Sequence, residues 1–198
     1  MLFLGPKLKK LKRLNISILP GLSTKYFLNY TKNLKSNKTI NSYFLLELLE
    51  KQKLKFNFCL KENIIKKYMI YLKKYNNLNL IINLRLDVFL NNIGFCKTIL
   101  EARQWITHEH ILVNLKKIKQ PKFLLKKGDI ISIHSTSFSI ISICKKNLYI
   151  KYNTNFLEKN LIYINICLYS LKCILLNLIN IIFPYITFKN NLILNYYY

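Results

Sequence analysis

Thr98-Ile99-Leu100-Glu101-Ala102-Arg103-Gln104-Trp105-Ile106, then Ile111-Leu112-Val113-Asn114, then Lys127-Gly128-Asp129-Ile130-Ile131-Ser132-Ile133 are the runs that decide the fold. The first is a helix that carries its own start signal. Thr98 is placed to accept from a first-turn amide while Glu101, three residues on, reaches back, the reciprocal pattern of a capping box. Ile99, Ala102 and Ile106 then share one face, and Lys97, Arg103 and Gln104 project elsewhere. The second run is a short strand by its β-branched content. Pro121 stops the stretch that follows, and Lys127-Gly128-Asp129 turns the chain into the third run, a second strand. Helix, strand and strand so close together make a small α+β unit with polar positions gathered on the helix and the turns.

Outward from this unit the signals weaken. Towards the N-terminus, residues 1–40 form a basic arm punctuated by the turn signals Gly5-Pro6 and Pro20-Gly21. From Tyr43 to about Lys74 the pattern is helical, with Leu45, Leu48 and Leu49, and later Ile64, Tyr68 and Tyr71, at three-to-four spacing. Asn76-Asn77 breaks it before another helix that begins near Leu80. Towards the C-terminus, Leu161 to Phe183 is the most apolar run and is long enough to cross a bilayer. Asn165, Ser170, Lys172, Asn177 and Asn180 interrupt it and Pro184 closes it, so a buried helix leading into a strand at Leu192-Ile193-Leu194 is the expectation.

Charge narrows the function. The 198 residues carry 32 Lys and Arg against 8 Asp and Glu, a net charge of +24. A surface that positive repels itself and calls for a polyanion, nucleic acid first and an anionic membrane second. No acidic residue precedes Glu47, whereas Lys7, Lys9, Lys10, Lys12, Arg13, Lys25, Lys32, Lys35 and Lys38 do, so the arm is expected to order on its anion. The excess of Asn, Ile, Lys, Phe and Tyr reads as codon drift in an AT-rich genome, which inflates hydrophobicity and favours lysine. Only Arg13, Arg85 and Arg103 are arginine. A guanidinium kept against that drift points to a site that needs its planar fork for phosphate or carboxylate.

Five cysteines, Cys59, Cys96, Cys144, Cys167 and Cys173, show no C-x-x-C and no paired spacing, so they read as buried or incidental thiols in a reducing compartment. His108 and His110 have no third ligand nearby in sequence, and a metal site is not expected there. The first residues lack the apolar core of a signal peptide, and a protein working in an organelle would have been made there. No Ser/His/Asp set, phosphate loop or suitable carboxylate pair appears, so an enzyme is not expected.

Leu84-Arg85-Leu86-Asp87, Gly94-Phe95, Glu101-Ala102-Arg103-Gln104, His110-Ile111-Leu112-Val113-Asn114 and Lys127-Gly128-Asp129-Ile130-Ile131 resemble the S-four RNA-binding domain in order and spacing. Around them, Gly5-Pro6-Lys7, Lys12-Arg13-Leu14, Leu19-Pro20-Gly21-Leu22, the stretch from Leu49 to Phe56 and the end from Asn191 to Tyr197 resemble the small-subunit ribosomal protein S-four family. The Leu-Pro-Gly-Leu element is similar to the plastid and cyanobacterial branch, with a mitochondrial source as the alternative. The resemblance implies an α+β fold: a mainly helical domain from both chain ends, 1–83 completed by 152–198, with the S-four module of 84–151 inserted. It implies binding to small-subunit rRNA at a helical junction of its 5′ domain, early in assembly. It also implies contact with the neighbouring S-five and S-three proteins near the mRNA entry channel. No cofactor, metal, membrane or small-molecule substrate follows from it.

The expected RNA contacts are Lys7, Lys9, Lys10, Lys12 and Arg13 on the arm, and Lys51, Lys53 and Lys55 on a helical surface. In the module they are Arg85, Lys97, Thr98, Arg103, Gln104, His108, His110, Asn114, Lys116 and Lys117. Such contacts neutralise phosphates and position the protein rather than read bases, since side chains enter the deep groove of A-form RNA poorly. Arg103 is expected to bind phosphate. Arg85 either does the same or pairs with Asp87 or Glu101. Trp105 is expected in the core. Glu109, Leu115 and Cys59 stand where the family has glycine, and the loops around Glu109 and Leu115 are expected to have shifted rather than to keep a positive φ. Two rivals remain: an RNA-modifying enzyme with an S-four domain, since Asp87 sits in an Arg-Leu-Asp run like that of pseudouridine synthases, and a membrane-associated basic protein.

Overall fold

The structure is a computed structural model that describes residues 7–14, 42–75, 78–153, 164–167, 171–175 and 189–197; at 7, 8, 12, 72–75, 78–80, 151–153, 164–166 and 175 it describes the backbone alone. Most of the basic arm, including Leu-Pro-Gly-Leu, and the Asn76-Asn77 break lie outside the described residues. Contacts divide the chain into two compact units, Met1–Leu78 with Pro184–Tyr198, and Asn79–Phe183.

The first unit is helical: α1 (Lys7–Arg13), α2 (Tyr43–Asn57), α3 (Glu62–Tyr75) and, from the far end of the chain, α8 (Asn190–Tyr197). The described part of the arm is the helix α1, with Leu11 and Leu14 buried. Helix α8 packs on α2 and touches α3. Its Ile193 is fully buried, and that contact turns an apolar run expected as a strand into a helix. Between α2 and α3 the amide of Leu60 donates to the Lys55 carbonyl at 3.1 Å, with Cys59 at φ 49°. This is the helix-ending motif in which a left-handed residue, normally glycine, lets the chain double back.

The second unit opens with α4 (Leu78–Asn83, which begins one residue before it), α5 (Leu86–Ile93) and α6 (Ile99–Thr107). Strands β1 (Ile111–Val113), β2 (Lys116–Lys117) and β3 (Ile130–Ile133) follow, then α7 (Phe138–Asn153), β4 (Ile164–Cys167) and β5 (Lys172–Leu175). The five strands form one antiparallel sheet in the order β2-β1-β3-β5-β4. Strands β4 and β5 occupy the stretch for which the sequence suggests a buried helix. The sheet edge offered by β3 decides otherwise, Ile130 and Ile131 pairing with Ile174 and Cys173. Among the described residues no helix is long and apolar enough to cross a membrane.

One core holds this unit together. Leu86, Phe89, Leu90 and Ile93 of α5, Ala102, Trp105 and Ile106 of α6, and Ile111, Val113, Ile131 and Ile133 of the sheet are all buried in it. Trp105 is 7% exposed, which fits its expected place. Ile140, Cys144 and Leu148 line the inner face of α7 at helical spacing. Asn147 Nδ2 donates to the Phe95 carbonyl at 3.0 Å and fixes that helix to the end of α5. Burial pushes the thiols of Cys144, with a further push from Glu101, and Cys173 up to about 12, so both stay protonated and act as small apolar groups.

Two loops do not shift as expected. Glu109 keeps φ 61° and Leu115 keeps φ 65°. At the end of α6, His110 N–H donates to the Trp105 carbonyl and Glu109 N–H to that of Ile106, each at 3.0 Å. This is the same doubled-back ending that Gly94, at φ 102°, provides for α5. Asn114 (φ 50°) and Leu115 form the two-residue turn between β1 and β2, whose positive φ angles normally call for Asn-Gly. The surrounding hydrogen bonds hold the geometry and the side chains take the strain.

Candidate nucleic-acid interface

The helix α6 starts as its sequence says. Thr98 Oγ1 accepts from the Glu101 amide at 3.1 Å, and Glu101 Oε2 accepts from the amide of Lys97 at 2.8 Å. Thr98 is therefore committed to its own helix, and Lys97 and Gln104 are exposed. Arg103, one turn into the helix, is 22% exposed at its side chain and is not an open cation. Its Nε donates to Asp87 Oδ2 at 2.7 Å.

Asp87 gathers more than Arg103. Arg85 grips it with both arms of its fork, Nε to Oδ1 at 3.0 Å and Nη2 to Oδ2 at 2.7 Å. The amide of Val88 adds a bond to Oδ1 at 2.9 Å. The carboxylate is fully buried and the Arg85 side chain nearly so, at 3%. Arg85 is thus the internal partner of Asp87, one of the two roles the sequence left open for it. Its neighbours are pinned as well: Leu125 N–H donates to the Leu84 carbonyl at 2.9 Å and Leu86 N–H to that of Phe123 at the same distance. The start of α5, with its carboxylate, is locked against the chain leading into β3.

The turns of the module carry exposed lysines, but some candidates there are structural. Asn114 Nδ2 donates to Asp129 Oδ1 and its Oδ1 accepts from Ile130 N–H, both at 2.9 Å, so this side chain ties the β1–β2 turn to the start of β3. His110 Nδ1 lies 2.7 Å from Ser137 Oγ, while His108 is exposed. Lys116 and Lys117 are exposed on β2. Glu109 holds Lys119 at 2.7 Å and Lys117 at 3.7 Å. The Lys119 ammonium holds the Glu109 carboxyl below its usual range, and the Lys119 pKa rises in return. Beyond the expected set, Lys122, Lys126 and Lys127 are exposed on the connection from β2 to β3, which the sequence displays only as lysines around Pro121 and Gly128. Among the described residues no cluster of His, Cys, Asp or Glu is suited to a metal ion.

In the helical unit the lysines of α2 are largely consumed. Lys51 Nζ sits 2.6 Å from Glu62 Oε1 and stacks over the rings of Tyr196 and Tyr197 at 4.0 and 4.9 Å. Lys55 reaches the other oxygen of Glu62 at 3.2 Å, and Lys53 reaches Glu50 at 2.6 Å. Tyr197 Oη also donates to Glu62 at 2.6 Å. Burial opposes ionisation of Glu62, but the bonds from Lys51, Tyr197 and Lys55 together outweigh it and hold the carboxyl at about 2. Lys51 is therefore a tie between α2, α3 and α8. On α1, Lys9 and Arg13 are exposed and Lys10 is half-buried; the side chains of Lys7 and Lys12 lie outside the described residues.

A family model described as the S4 domain matches residues 84–131, from the leucine before Arg85 to the second residue of β3. The chain is 51% identical over 199 residues to the small ribosomal subunit protein uS4c of Eimeria tenella, covering 98% of each chain. It is 43% identical over 194 residues to the uS4c protein of Toxoplasma gondii, covering 96% of each. With that of Staurastrum punctulatum it shares 34% over 149 residues, 73% of this chain and 69% of the relative. The match to the family model falls on the strand, helix and turns that carry the arginine-held carboxylate, and the relatives extend it through the helical unit to both ends. On that evidence the chain belongs to the uS4 family of small ribosomal subunit proteins.

Proposed function

We propose that this chain is a non-enzymatic, rRNA-binding structural constituent of the small subunit of a plastid ribosome, encoded in the organelle. The observation that carries the reading is the S-four module itself. It sets a guanidinium bound to a buried carboxylate into a helix preceded by exposed Lys97, beside exposed Lys116 on β2 and Lys122, Lys126 and Lys127 on the connection to β3. Such a surface neutralises phosphates and fits a folded RNA by shape. A relative named as a ribosomal protein matches 98% of the sequence, so none of it is left over for a catalytic domain of the pseudouridine-synthase kind.

The finer assignment rests on the family resemblance. The RNA site is a helical junction in the 5′ domain of the small-subunit rRNA, bound early in assembly. The protein neighbours are the S-five and S-three families, close to the mRNA entry channel. Of the expected contacts, Lys9, Arg13, Lys97, Gln104, His108, Lys116 and Lys117 are exposed and Arg103 is partly so, whereas the exposed Asn114 is tied to Asp129 and Ile130, and Lys51, Lys53 and Lys55 are held by glutamates.

Filter binding of the purified protein to a 5′-domain rRNA fragment tests this. The expected result is tight binding that weakens steeply with salt and survives an excess of unrelated RNA of the same length. Equal affinity for both RNAs would remove the specific reading. Absence of the protein from the small-subunit peak of an organelle extract, sedimented at moderate salt, would remove the ribosomal one.

A further inference from the structure

We propose that Leu115, at the tip of the β1–β2 turn, is an apolar contact to the 5′-domain rRNA, set among lysines exposed at the same end of the sheet. The inference rests on the RNA-binding reading above and adds to it a contact that charge does not supply.

Hydrogen bonds hold the tip in place. Asn114 N–H donates to the Ile130 carbonyl at 2.8 Å, and the Asn114 side chain bonds Asp129 and the Ile130 amide at 2.9 Å each. Asp129 Oδ2 also accepts from the Lys126 amide at 2.7 Å, and the Asp129 amide donates to the Lys126 carbonyl at 3.2 Å. One carboxylate thus fastens the Asn114–Leu115 turn beside the turn from Lys126 to Asp129, and the two form one end of the sheet. Gly128 in that second turn borders open space, where an added Cβ would meet nothing within 4 Å. Lys116, Lys126 and Lys127 are exposed here. Leu115 stands among them with 82% of its surface exposed.

Strain and exposure together point to a contact. Leu115 keeps φ 65°, where glycine would sit at no steric cost. Its side chain is nearly unburied, so packing within the fold returns little for that strain. Residues held in sparsely populated backbone regions cluster where a ligand is gripped. The surrounding lysines select the partner. They repel basic protein surfaces and draw a polyanion, while the leucine between them needs something other than phosphate to touch. Folded RNA supplies both: phosphates along the strand, and ribose and base surface in the wide, shallow minor groove or at an unpaired nucleotide.

Filter binding of the full chain to a 5′-domain rRNA fragment across a salt series, beside urea unfolding, tests this. Leu115→Gly is expected to be more stable than wild type and yet to bind the fragment about tenfold more weakly, the scale of uncovering part of one leucine side chain. Because the lost contact is uncharged, the slope of log affinity against log salt is expected to stay that of wild type. Leu115→Asn tolerates the same φ but is polar, and is expected to lose the same factor. Leu115→Met keeps an apolar side chain of similar volume and is expected to bind within about twofold of wild type. Lys126→Gln/Lys127→Gln is expected to lower the salt slope by about 1–2, and an unchanged slope overturns the proposal. So does binding by Leu115→Gly and Leu115→Asn within about twofold of wild type, which leaves the tip to a protein neighbour. Loss by Leu115→Met equal to that of Leu115→Gly overturns it as well, because apolar character would then not matter. A wild-type chain with no preference for the fragment over unrelated RNA refutes the RNA reading, whereas specific binding indifferent to Leu115 refutes the tip contact alone.

Discussion

Leu115 offers the sharpest test of how this chain tolerates the loss of glycine. It occupies the second position of the Asn114–Leu115 turn at φ 65° and is 82% exposed, so it carries strain and almost no packing. Holding a leucine in the left-handed region costs about 1–2 kcal/mol. Leu115→Gly removes that cost and restores the Asn-Gly pair the turn geometry prefers. Against this, glycine adds unfolded-state freedom worth about 0.5–1 kcal/mol. The net expectation is a stabilisation of about 0.5–1 kcal/mol, or about 1–4 °C in the melting temperature of a chain this long. Urea denaturation followed by circular dichroism measures it, and Leu115→Asn is expected to fall between wild type and Leu115→Gly because asparagine tolerates the same φ. Glu109→Gly is expected to gain less than Leu115→Gly, since it also breaks the pairs with Lys119 and Lys117. A neutral or destabilising Leu115→Gly would refute the claim that this turn is strained.

Other consequences follow from the same geometry. Thr98→Ala removes the cap from α6 and is expected to cost about 1 kcal/mol in a thermal or urea unfolding series, with Thr98→Ser close to wild type. Glu62 has its folded pKa held at about 2, below its ordinary 4.5, so the stability it contributes is present above pH 4.5 and is lost as pH falls towards 2. The gap in unfolding midpoint between wild type and Glu62→Gln should therefore close across that window, and a gap that stays constant would exclude the linkage. Arg103→Gln is expected to lower the slope of log affinity against log salt by about 1, the counterion count of one phosphate contact. An unchanged slope would take Arg103 away from the RNA.

Local chemistry made the middle of the chain readable. Thr98 and Glu101 mark the start of α6 by a pairing confined to four residues, and Ile111–Val113 and Ile130–Ile133 declare themselves by branched side chains beside turn residues. The second half defeats such reading for a physical reason. Drift towards Ile, Leu, Asn and Lys blurs the difference between a period of two and one of 3.6, so β4 and β5 read as a buried helix and α8 as a strand. Only long-range partners resolve them: the edge of β3 for the hairpin, and α2 for Ile193. In the site, Arg103 was legible from its helix and its rarity. Its bond to Asp87, and the capture of Lys51 by Glu62, Tyr196 and Tyr197, were not, because those partners come from other elements. The lost glycines show the converse limit. A residue type says where a left-handed turn is comfortable, but the hydrogen bonds around Glu109 and Leu115 decide that it exists.

The acidic residues are more informative than the lysines in a chain of this kind. Lysine accumulates under the same drift that supplies asparagine and isoleucine, so an exposed lysine says little about what it meets. With 8 acidic residues against 32 basic ones, the carboxylates are outnumbered, and among the described residues Glu50, Glu62, Asp87, Glu101, Glu109 and Asp129 are all engaged. Glu62 ties α2, α3 and α8; Glu101 closes the start of α6; Asp129 joins a turn to a strand through Asn114. Glu109 draws Lys119 and Lys117 to the end of α6, and Asp87 holds both arginines of the module. Each of these is a tie within one unit, and those that hold a lysine or arginine remove a cation from the supply available to RNA. The RNA-facing surface we propose is therefore sought among the exposed cations of the described residues, such as Lys97, Lys122, Lys126 and Lys127. Arg103 is held by a carboxylate too, through its Nε, yet its side chain keeps 22% of its surface exposed.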